Sequence, residues 1–365
     1  MKAPDVHIDI GSCEHGKTNN ITDIGEIRIG HCTLIKGEGA LIPGKGPVRT
    51  GVTAVLPHTG NVYKEKLLAS THIINGYCKP IGLAQVKELG VLETPVILTN
   101  TLSVGICADT LIEYMLVDND DIGVTTGSVN PVVMECNDSY LNDIRGNHIN
   151  RQHIIQAIEC ADTTFAEGAV GAGTGMSAFE FKGGIGSSSR IIEIESTEIT
   201  VGALVLSNFG KREDLAIAGV PVGKELLNWP GKGGAKAAGS IIIIVATDVF
   251  LTAWQLQRVA RRADIGLART GGYAYHGSGD VVLAFSTSQK IPHYPQGLLS
   301  INSLPDSTLN PLFKATAEAV EEAILNSLLQ AETVKGRDDR IRYQLPTDEL
   351  MQIMAKYGRI TEKDE

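Results

Sequence analysis

The amino-acid sequence predicts an α+β protein that folds as a single domain. Short apolar segments separated by glycine turns occupy the first hundred residues and indicate strands. Segments with apolar residues at 3.6-residue spacing, which indicate helices, follow and alternate with further strands. No internal repeat or clear linker divides the 365 residues, and 43% of them are hydrophobic, which is enough for one large core.

The first strands are predicted where apolar runs end at a turn signal. Residues 27–29 alternate apolar and polar side chains, and residues 52–56 form an apolar run that stops at Pro57. The segment 37–51 between them is rich in glycine and proline and predicts a loop. Residues 96–98 predict a buried strand. The apolar residues that then recur at helical spacing are Val104, Cys107, Ala108, Leu111 and Met115.

The middle of the chain combines a helix, a glycine-rich segment and two strands. Residues 151–165 predict a helix with one apolar face. Segment 168–190 contains many glycines but lacks both the G-x-G-x-x-G spacing and a Walker lysine, so close backbone packing is favoured over nucleotide binding. Residues 191–194 and 200–207 predict paired strands.

The most strand-like segment is SIIIIVAT at residues 240–247, which follows a Gly-, Lys- and Pro-rich loop at 208–239. A helix at 253–262 and a strand at 281–285 are predicted next. Asn310 and Pro311 are typical of a helix start. The buried face of that long helix is predicted to carry Leu312, Phe313, Ala317, Val320, Ile324 and Leu328. A short helix is predicted at 348–356.

The composition disfavours nucleic-acid and membrane partners. The net charge is −10 and the pI about 5.4, so the surface repels phosphate backbones, and no basic cluster exceeds the Arg261–Arg262 pair. The longest apolar stretch, residues 241–246, is too short to span a bilayer, and no apolar signal segment begins the chain. Six cysteines without a C-x-x-C pair favour free thiols and a cytoplasmic location.

Ser240 is the first candidate for chemistry, because it follows the loop GKGGAKAAG, which has small side chains, and opens the strand 240–247. A serine after a glycine can attack the preceding carbonyl through its hydroxyl, forming an ester that water then cleaves. The product carries both a hydroxyl and a free α-amine, whose reference pKa of about 7.7–8.0 makes it a base near neutral pH. The alternative is that serine is simply a small polar residue at a strand entry.

Other nucleophile and metal arrangements fit the sequence less well. A Ser-His-Asp triad would need a better placed histidine than His276, which is two residues from Ser278. The sequence around Ser278 lacks the spacing of a G-x-S-x-G nucleophile elbow. None of the six cysteines lies in a sequence context that indicates a catalytic nucleophile. His148 and His153 are five residues apart and would not share a helix face, so no zinc site or other cofactor is predicted.

Five segments together resemble the family of L-aminopeptidase/D-amino-acid esterases (DmpA-like) and β-peptidyl aminopeptidases. The resemblance runs from about residue 20 to about residue 345, with the motifs in the family's order. It implies a four-layer αββα sandwich, similar to that of ornithine acetyltransferases, and self-cleavage between Gly239 and Ser240 into chains 1–239 and 240–365. The segments are GPVRTGVTAVLPH, PVVMECNDSYLND, GAGTGMSAFEFKGGIGSSSR, GAKAAGSIIIIVATDVFL and GLARTGGYAYHGSGDVVLAFST.

The resemblance also implies roles for individual residues. Ser240 would be the nucleophile, with the Asn208 side chain and the Ile241 backbone N–H as oxyanion donors. Tyr140 would stabilise the tetrahedral intermediate or assist proton transfer. Ser278 and Asp280 would hold the amine and hydroxyl of Ser240 in register.

The motif around Glu135 also bears on the substrate. Glu135 would bind the free ammonium group of the substrate, which would make the protein an aminopeptidase. The neighbouring Cys136 has no assigned role. Each of these side chains also has a bland alternative: Asn208 as a turn residue, Tyr140 in the core, the segment 276–280 as a hairpin turn, and Glu135 and Asp280 in solvent.

Three classes of function remain open at this stage. The leading one is a self-processing serine aminopeptidase that releases N-terminal L-, D- or β-amino acids from small peptides, amides or esters, without a metal or organic cofactor. The second is an amidase or acyltransferase of the same fold that acts on substrates without a free amine. The third is a non-enzymatic binding or assembly protein. The resemblance implies a homo-oligomer, a tetramer of two-chain units or larger.

Overall fold

The structure is a computed structural model that describes residues 1–231 and 239–360. Within these residues the strands are β1 Arg28–Lys36, β2 Val48–Leu56, β3 Glu65–Gly76, β4 Val91–Leu92, β5 Val96–Asn100, β6 Val132–Cys136, β7 Ser177–Ala178, β8 Phe181–Lys182, β9 Ile185–Ile194, β10 Thr197–Asn208, β11 Ser240–Thr247, β12 Gly279–Pro292, β13 Val334–Lys335 and β14 Ile341–Arg342. The α-helices are α1 Leu83–Leu89, α2 Val104–Val117, α3 Arg151–Glu159, α4 Val222–Glu225, α5 Ala253–Ala260, α6 Ala263–Arg269, α7 Asn310–Leu329 and α8 Thr347–Lys356.

Two sheets and two groups of helices form four layers. One sheet has the strand order β1-β2-β5-β6, and the other has the order β4-β3-β12-β11-β10-β9. One apolar core lies between the sheets, a second lies between the smaller sheet and α2 and α3, and a third lies between the larger sheet and α5, α6 and α7. This arrangement confirms the αββα sandwich that the resemblance implied.

Strand β11 lies at the centre of the larger sheet. It pairs antiparallel with β10 and parallel with β12, and all eight of its residues are buried. Ile241, Ile243 and Val245 pack in the core beside the helices, whereas Ile242 and Ile244 pack in the core between the sheets. The run of four isoleucines is therefore buried on both faces, as is typical of a strand between two apolar layers.

Helix α7 is buried on nearly every side, not along one apolar stripe. The predicted apolar residues are buried except for Phe313, which is half-buried, but polar residues of the helix are buried as well. Glu322 pairs with Arg190 at 2.6 Å, and both side chains are inaccessible to solvent. Burial acts to raise the pKa of Glu322, but the hydrogen bond from His15 and the charge of Arg190 lower it to about 2.

Several element boundaries differ from the sequence prediction, and strand pairing explains two of them. The helix predicted at 151–165 ends at Glu159, because Asp162 exchanges two backbone hydrogen bonds with Ile29 of β1. The loop predicted at 37–51 ends earlier, because Val48 already pairs with Lys36. Sequence periodicity also missed the helices α1 and α6, each of only seven residues.

Candidate active site

The candidate site lies where three neighbouring strands of the larger sheet begin or end. Asn208 is the last residue of β10, Ser240 the first of β11 and Gly279 the first of β12. The strand register places Ser240 directly opposite both Asn208 and Gly279. A cavity of about 350 Å³ opens beside these termini. The predicted site residues that line it are Glu135, Tyr140, Asn208, Gly239 and Ser240.

Ser240 shares a hydrogen-bond donor with the carbonyl that precedes it. The Gly279 N–H donates to Ser240 Oγ at 3.3 Å and to the Gly239 carbonyl at 3.2 Å. A donor on this carbonyl would stabilise the negative charge that develops on its oxygen if the Ser240 hydroxyl attacked it. Sequence reasoning did not identify Gly279, because a backbone donor leaves no signal in the side-chain pattern.

Gly239 is a glycine because the backbone of β10 passes very close to it. A Cβ at this position would lie 2.4 Å from the Asn208 carbonyl oxygen and 2.4 Å from Phe209 Cα. Both of these are backbone atoms and cannot move away as a flexible side chain could. Any other residue at position 239 would therefore shift the Gly239–Ser240 bond away from Asn208.

Asn208 has a defined amide orientation. Its Oδ1 accepts a hydrogen bond from the Ser177 backbone N–H at 2.8 Å, and its Nδ2 donates to the Asn137 carbonyl at 2.9 Å. One Nδ2 hydrogen remains without a partner among residues 1–231 and 239–360. The side chain can thus present a fixed donor to the cavity, and it is a strand terminus, not an isolated turn.

Ser278 and Asp280 form a buried pair at the start of β12. Ser278 Oγ donates to Asp280 Oδ1 at 2.6 Å, and both residues are buried. Burial raises the pKa of Asp280 to about 6, although the hydrogen bonds from Ser278 and from the Ile241 N–H oppose this shift. Asp280 Oδ2 has no hydrogen-bond partner in the described part of the chain.

The Ile241 N–H does not serve as the predicted second oxyanion donor in this structure. It donates instead to Asp280 Oδ1 at 3.2 Å, because the parallel register places Asp280 beside Ile241. The same pairing shows that segment 276–280 is not a hairpin turn, since β12 runs parallel to β11 and antiparallel to β3.

Tyr140 projects from a turn that also carries a buried acid. Asp138 accepts the backbone N–H groups of Leu141 and Asn142 through its carbonyl, which closes the turn. The Tyr140 ring lies 3.7 Å from the Arg342 guanidinium, a cation–π contact. Its hydroxyl makes no hydrogen bond within residues 1–231 and 239–360, so it is available to a bound substrate.

Glu135 is a buried carboxylate at the end of β6. Its Oε1 accepts the Lys79 backbone N–H at 3.0 Å, and its Oε2 accepts the Thr101 hydroxyl. Each carboxylate oxygen has a second lone pair, so the group can still bind an ammonium ion in the cavity. The adjacent Cys136 is buried between the sheets, and burial raises its pKa well above the usual value, so it is not an activated thiol.

Sequence reasoning missed three arginines that line the cavity. Arg337, Arg340 and Arg342 come from the segment that connects β13 with β14 and from β14 itself. The expectation that no basic cluster exceeds Arg261–Arg262 is therefore wrong. The signal was present in the spacing of GRDDRIR, but charges of both signs alternate there and the motif resembles an ordinary solvated surface.

Comparison with known proteins identifies the family. The family model of peptidase family S58 matches residues 19–342. A β-peptidyl aminopeptidase BapA of Sphingosinicella microcystinivorans is 39% identical over 360 residues, which cover 94% of this chain and 90% of that protein.

Solved structures agree with this assignment. A protein of Pyrococcus horikoshii OT3 is 65% identical with a TM-score of 0.96, over 98% of this chain and 100% of that one. The L-aminopeptidase D-Ala-esterase/amidase of Ochrobactrum anthropi, described as a variant of the Ntn hydrolase fold, is 33% identical with a TM-score of 0.91 over 99% of both chains. The chain therefore belongs to peptidase family S58 and is a serine aminopeptidase of the N-terminal-nucleophile class.

Proposed function

We propose that the chain cleaves itself between Gly239 and Ser240, giving chains 1–239 and 240–365, and that Ser240 is the catalytic nucleophile. The observation that carries this proposal is the Gly279 N–H, which bridges the Ser240 hydroxyl and the Gly239 carbonyl. Ser240 Oγ attacks the Gly239 carbonyl carbon, the C–N bond breaks, and an ester forms with Ser240 carrying a free amine. Water then hydrolyses the ester and leaves a carboxylate on Gly239.

The liberated α-amine of Ser240 serves as the base in peptide cleavage. It accepts the proton of Ser240 Oγ while Oγ attacks the scissile carbonyl of the substrate. The unpaired Nδ2 hydrogen of Asn208 donates to the resulting oxyanion, and the Tyr140 hydroxyl assists. The amine returns its proton to the leaving group, and water releases the N-terminal residue from the acyl-enzyme.

Asp280 and Ser278 keep the new N-terminus in place. The Asp280 carboxylate is buried beside Ile241, and its unpartnered Oδ2 is an acceptor for the ammonium or hydroxyl of Ser240. Ser278 fixes the orientation of that carboxylate through its hydrogen bond to Oδ1. The pair thereby holds the amine and hydroxyl in one geometry.

Glu135 selects substrates with a free amine. It is the buried carboxylate of the cavity, and it is oriented by Lys79 and Thr101. The substrates are small peptides, amides or esters, because a cavity of about 350 Å³ admits only a few residues. Their N-terminal residue is an L-, D- or β-amino acid. The names of the relatives include β-peptidyl aminopeptidase and L-aminopeptidase D-Ala-esterase/amidase.

A denaturing gel with intact mass measurement tests self-cleavage. The wild type should give two fragments that meet at Gly239–Ser240, whereas Ser240→Ala should remain full length, because a methyl group cannot attack. Ser139→Ala is a matched control: Ser139 lines the same cavity, but its hydroxyl makes no hydrogen bond in the described part of the chain. A full-length wild type, or a cleaved Ser240→Ala, would contradict the proposal.

Replacement of Glu135 tests the recognition of the amine. Glu135→Gln should lower kcat/KM for substrates with a free amine by about 10- to 100-fold, since it removes a buried charge partner. N-acylated analogues, which carry no ammonium, should respond little. Equal losses on both kinds of substrate would assign Glu135 a structural role only.

We also propose a cytoplasmic homo-oligomer. All six cysteines are unpaired, which supports a reducing compartment, and no helix among residues 1–231 and 239–360 is long and apolar enough to cross a membrane. Leu298 is fully exposed, with Leu299 and Ile301 partly exposed beside it, and such a patch suits contact with a second copy. Light scattering after size-exclusion chromatography tests this: wild type should exceed one 38.9-kDa unit, and Leu298→Asp should reduce the mass.

A further inference from the structure

The cavity beside Ser240 is cationic although the protein is acidic. Among the residues that the structure describes, its lining contains five cationic side chains, Lys79, Lys211, Arg337, Arg340 and Arg342, and two acidic ones, Glu135 and Glu180. The whole chain has a net charge of −10. An excess of positive charge inside a concave site concentrates anionic groups there. Recognition of a substrate amine by Glu135 does not account for this excess.

Arg337 and Arg340 are held in place by backbone contacts. Arg337 Nε donates to the Ser139 carbonyl at 2.8 Å, and Arg340 Nη1 donates to the Tyr140 carbonyl at 3.3 Å. The Arg337 backbone N–H also donates to the Leu141 carbonyl at 2.9 Å. The two guanidinium groups are therefore fixed to the same turn that carries Tyr140.

Within residues 1–231 and 239–360, these two guanidinium groups retain N–H donors without a hydrogen-bond partner. Asp338 Oδ2 lies 3.8 Å from Arg337 Nη1 and 3.7 Å from Arg340 Nη2, which is within ion-pair distance but beyond hydrogen-bond distance. Their side chains are 19% and 35% exposed, so a ligand can reach them. A guanidinium with free, fixed N–H groups is suited to bind a carboxylate.

The arginines and Glu135 are linked to different neighbours of β11, the strand that begins at Ser240. In the sheet, β11 lies between β10 and β12, and β3 follows β12. Glu135 is bonded to Lys79, three residues beyond the end of β3. Ser177 is hydrogen-bonded both to Asn208 of β10 and to Arg342. The Asn208 amide also donates to the Asn137 carbonyl, in the turn that carries Tyr140.

We propose that Arg337 and Arg340 bind a carboxylate of the substrate. Resting on the proposed function, this places the ammonium at Glu135, the scissile carbonyl at Ser240 and an anionic group on the arginine side. The matching substrate class is short peptides, above all dipeptides, whose C-terminal carboxylate lies on the leaving group. An acidic side chain on the N-terminal residue supplies the same chemistry from another source.

Two matched pairs of substrates distinguish these sources. Alanyl-alanine against alanyl-alanine amide changes only the C-terminal carboxylate, and aspartyl-alanine amide against asparaginyl-alanine amide changes only the side-chain carboxylate. For wild type we expect kcat/KM about five- to tenfold higher for the carboxylate member of one pair, as is typical of a partly exposed arginine–carboxylate contact. No preference in either pair overturns the proposal.

Variants then assign the preference to the arginines. Arg340→Ala and Arg337→Ala should each bring the ratio within a pair close to one, and a general loss of rate from the Tyr140 turn cancels in that ratio because it affects both substrates alike. Lys335→Ala is the matched control, because it removes a nearby exposed charge that does not line the cavity. A ratio that stays at its wild-type value in both arginine variants overturns the proposal.

Salt dependence gives a second readout that needs no variant. Added sodium chloride should raise the wild-type KM more for the preferred carboxylate substrate than for its amide partner, which has only the ammonium contact to lose, whereas equal responses would overturn the assignment. Failure of the underlying mechanism looks different: it would appear as an uncleaved wild type or as no turnover of alanyl-alanine amide. If the processed enzyme cleaves the amide but shows no preference for the carboxylate substrate, only the arginine assignment is refuted.

Discussion

At the residue scale, two glycines position the bond at which we propose that the chain cleaves itself. Gly239 lets the chain pass against Asn208 and Phe209, where a Cβ would be 2.4 Å from backbone atoms. Gly279 supplies the N–H that bridges Gly239 and Ser240, and a Cβ there would lie 2.6 Å from Cys78 Cβ. Neither glycine has a side chain that could take part in chemistry. Both nevertheless determine the position of the Ser240 hydroxyl relative to the Gly239 carbonyl.

Gly239→Ala is expected to slow or block self-cleavage. The added methyl must displace the backbone of β10 or move the scissile carbonyl away from the Gly279 N–H, and such misplacement costs up to about 100-fold in rate. A time course of full-length and cleaved protein on a denaturing gel measures this. Gly105→Ala is the control, since a Cβ at that helical position meets nothing within 4 Å. Cleavage of Gly239→Ala at the wild-type rate would show that the close approach is unimportant.

Asp138 should make stability depend on pH. Burial raises its pKa to about 7 from a value of 3.8, so the folded state binds an extra proton between these pH values. The unfolded chain ionises first, and stability therefore falls as pH rises through that window and stays lower above it. Asp138→Asn removes this titration. Its free energy of unfolding, relative to that of wild type, should therefore be about 2–4 kcal/mol higher at pH 8 than at pH 4.

Urea unfolding at the two pH values measures the effect of Asp138→Asn. Asparagine can still accept the hydrogen bond from Asn142, so the turn should remain closed. The exposed Asp120→Asn is the control and should show no such gain. A difference between wild type and Asp138→Asn that is the same at both pH values would mean that Asp138 is ionised throughout.

The sequence alone indicated only part of the candidate site. Ser240 was the one residue singled out without the family resemblance, because a serine after a glycine loop could attack the preceding carbonyl, although a small polar residue at a strand entry was the alternative. The roles of Asn208 and Glu135 came only from the family resemblance. Their proximity to Ser240 depends on strand pairing across long sequence distances, which periodicity does not encode.

At the scale of elements, the termini of β10, β11 and β12 create the site, and the short hairpin β7–β8 supports it. Lys182 of β8 is fully buried, and its Nζ donates to the carbonyls of Gly173 and Met176 at 2.8 Å each. The Met176 carbonyl belongs to the same peptide unit as the Ser177 N–H that orients Asn208. Lys182 is thus a positioning residue for the proposed oxyanion donor.

Lys182→Met should lower kcat about tenfold with a smaller change in KM, because the Asn208 amide would lose its fixed orientation while the proposed ammonium site at Glu135 stays intact. Steady-state kinetics on an aminoacyl amide, with thermal unfolding alongside, measures the two effects separately. Lys66→Met, which removes a lysine paired with Glu93 away from the cavity, is the control. Parallel changes in kcat and KM would indicate general loss of structure instead.

The sequence predicted the elements best where burial is complete on both faces. The bounds of β11 were predicted to the residue, since the six residues between Ser240 and Thr247 are all apolar. Helix α3 was predicted too long, because its end is imposed by pairing of Asp162 with β1. The burial of polar residues on α7 was missed, because only the fold brings Arg190 against Glu322.

At the scale of the whole molecule, the proposed cleavage falls inside the larger sheet. The segment after Ser240 supplies β11, β12 and α7, whereas β10, β9 and β3 come from the segment before Gly239. Strands β12 and β11 of the second segment lie between β3 and β10 of the first, so neither segment contains the complete larger sheet. The arrangement lets the chain gain a new N-terminus without losing a layer.

The two fragments should therefore stay together after cleavage. Each fully buried isoleucine of β11 contributes about 1.5–3 kcal/mol, and the strand has four of them before α7 is considered. Size-exclusion chromatography of the cleaved protein, diluted to nanomolar concentration, should return both fragments in one peak, and mass should be a multiple of 38.9 kDa. The same sample in concentrated urea should separate, and Ser240→Ala should stay one chain in both conditions. Separation of the native fragments on dilution would contradict this expectation. It would show that the pairing of strands from both segments in the larger sheet is too weak to hold the fragments together.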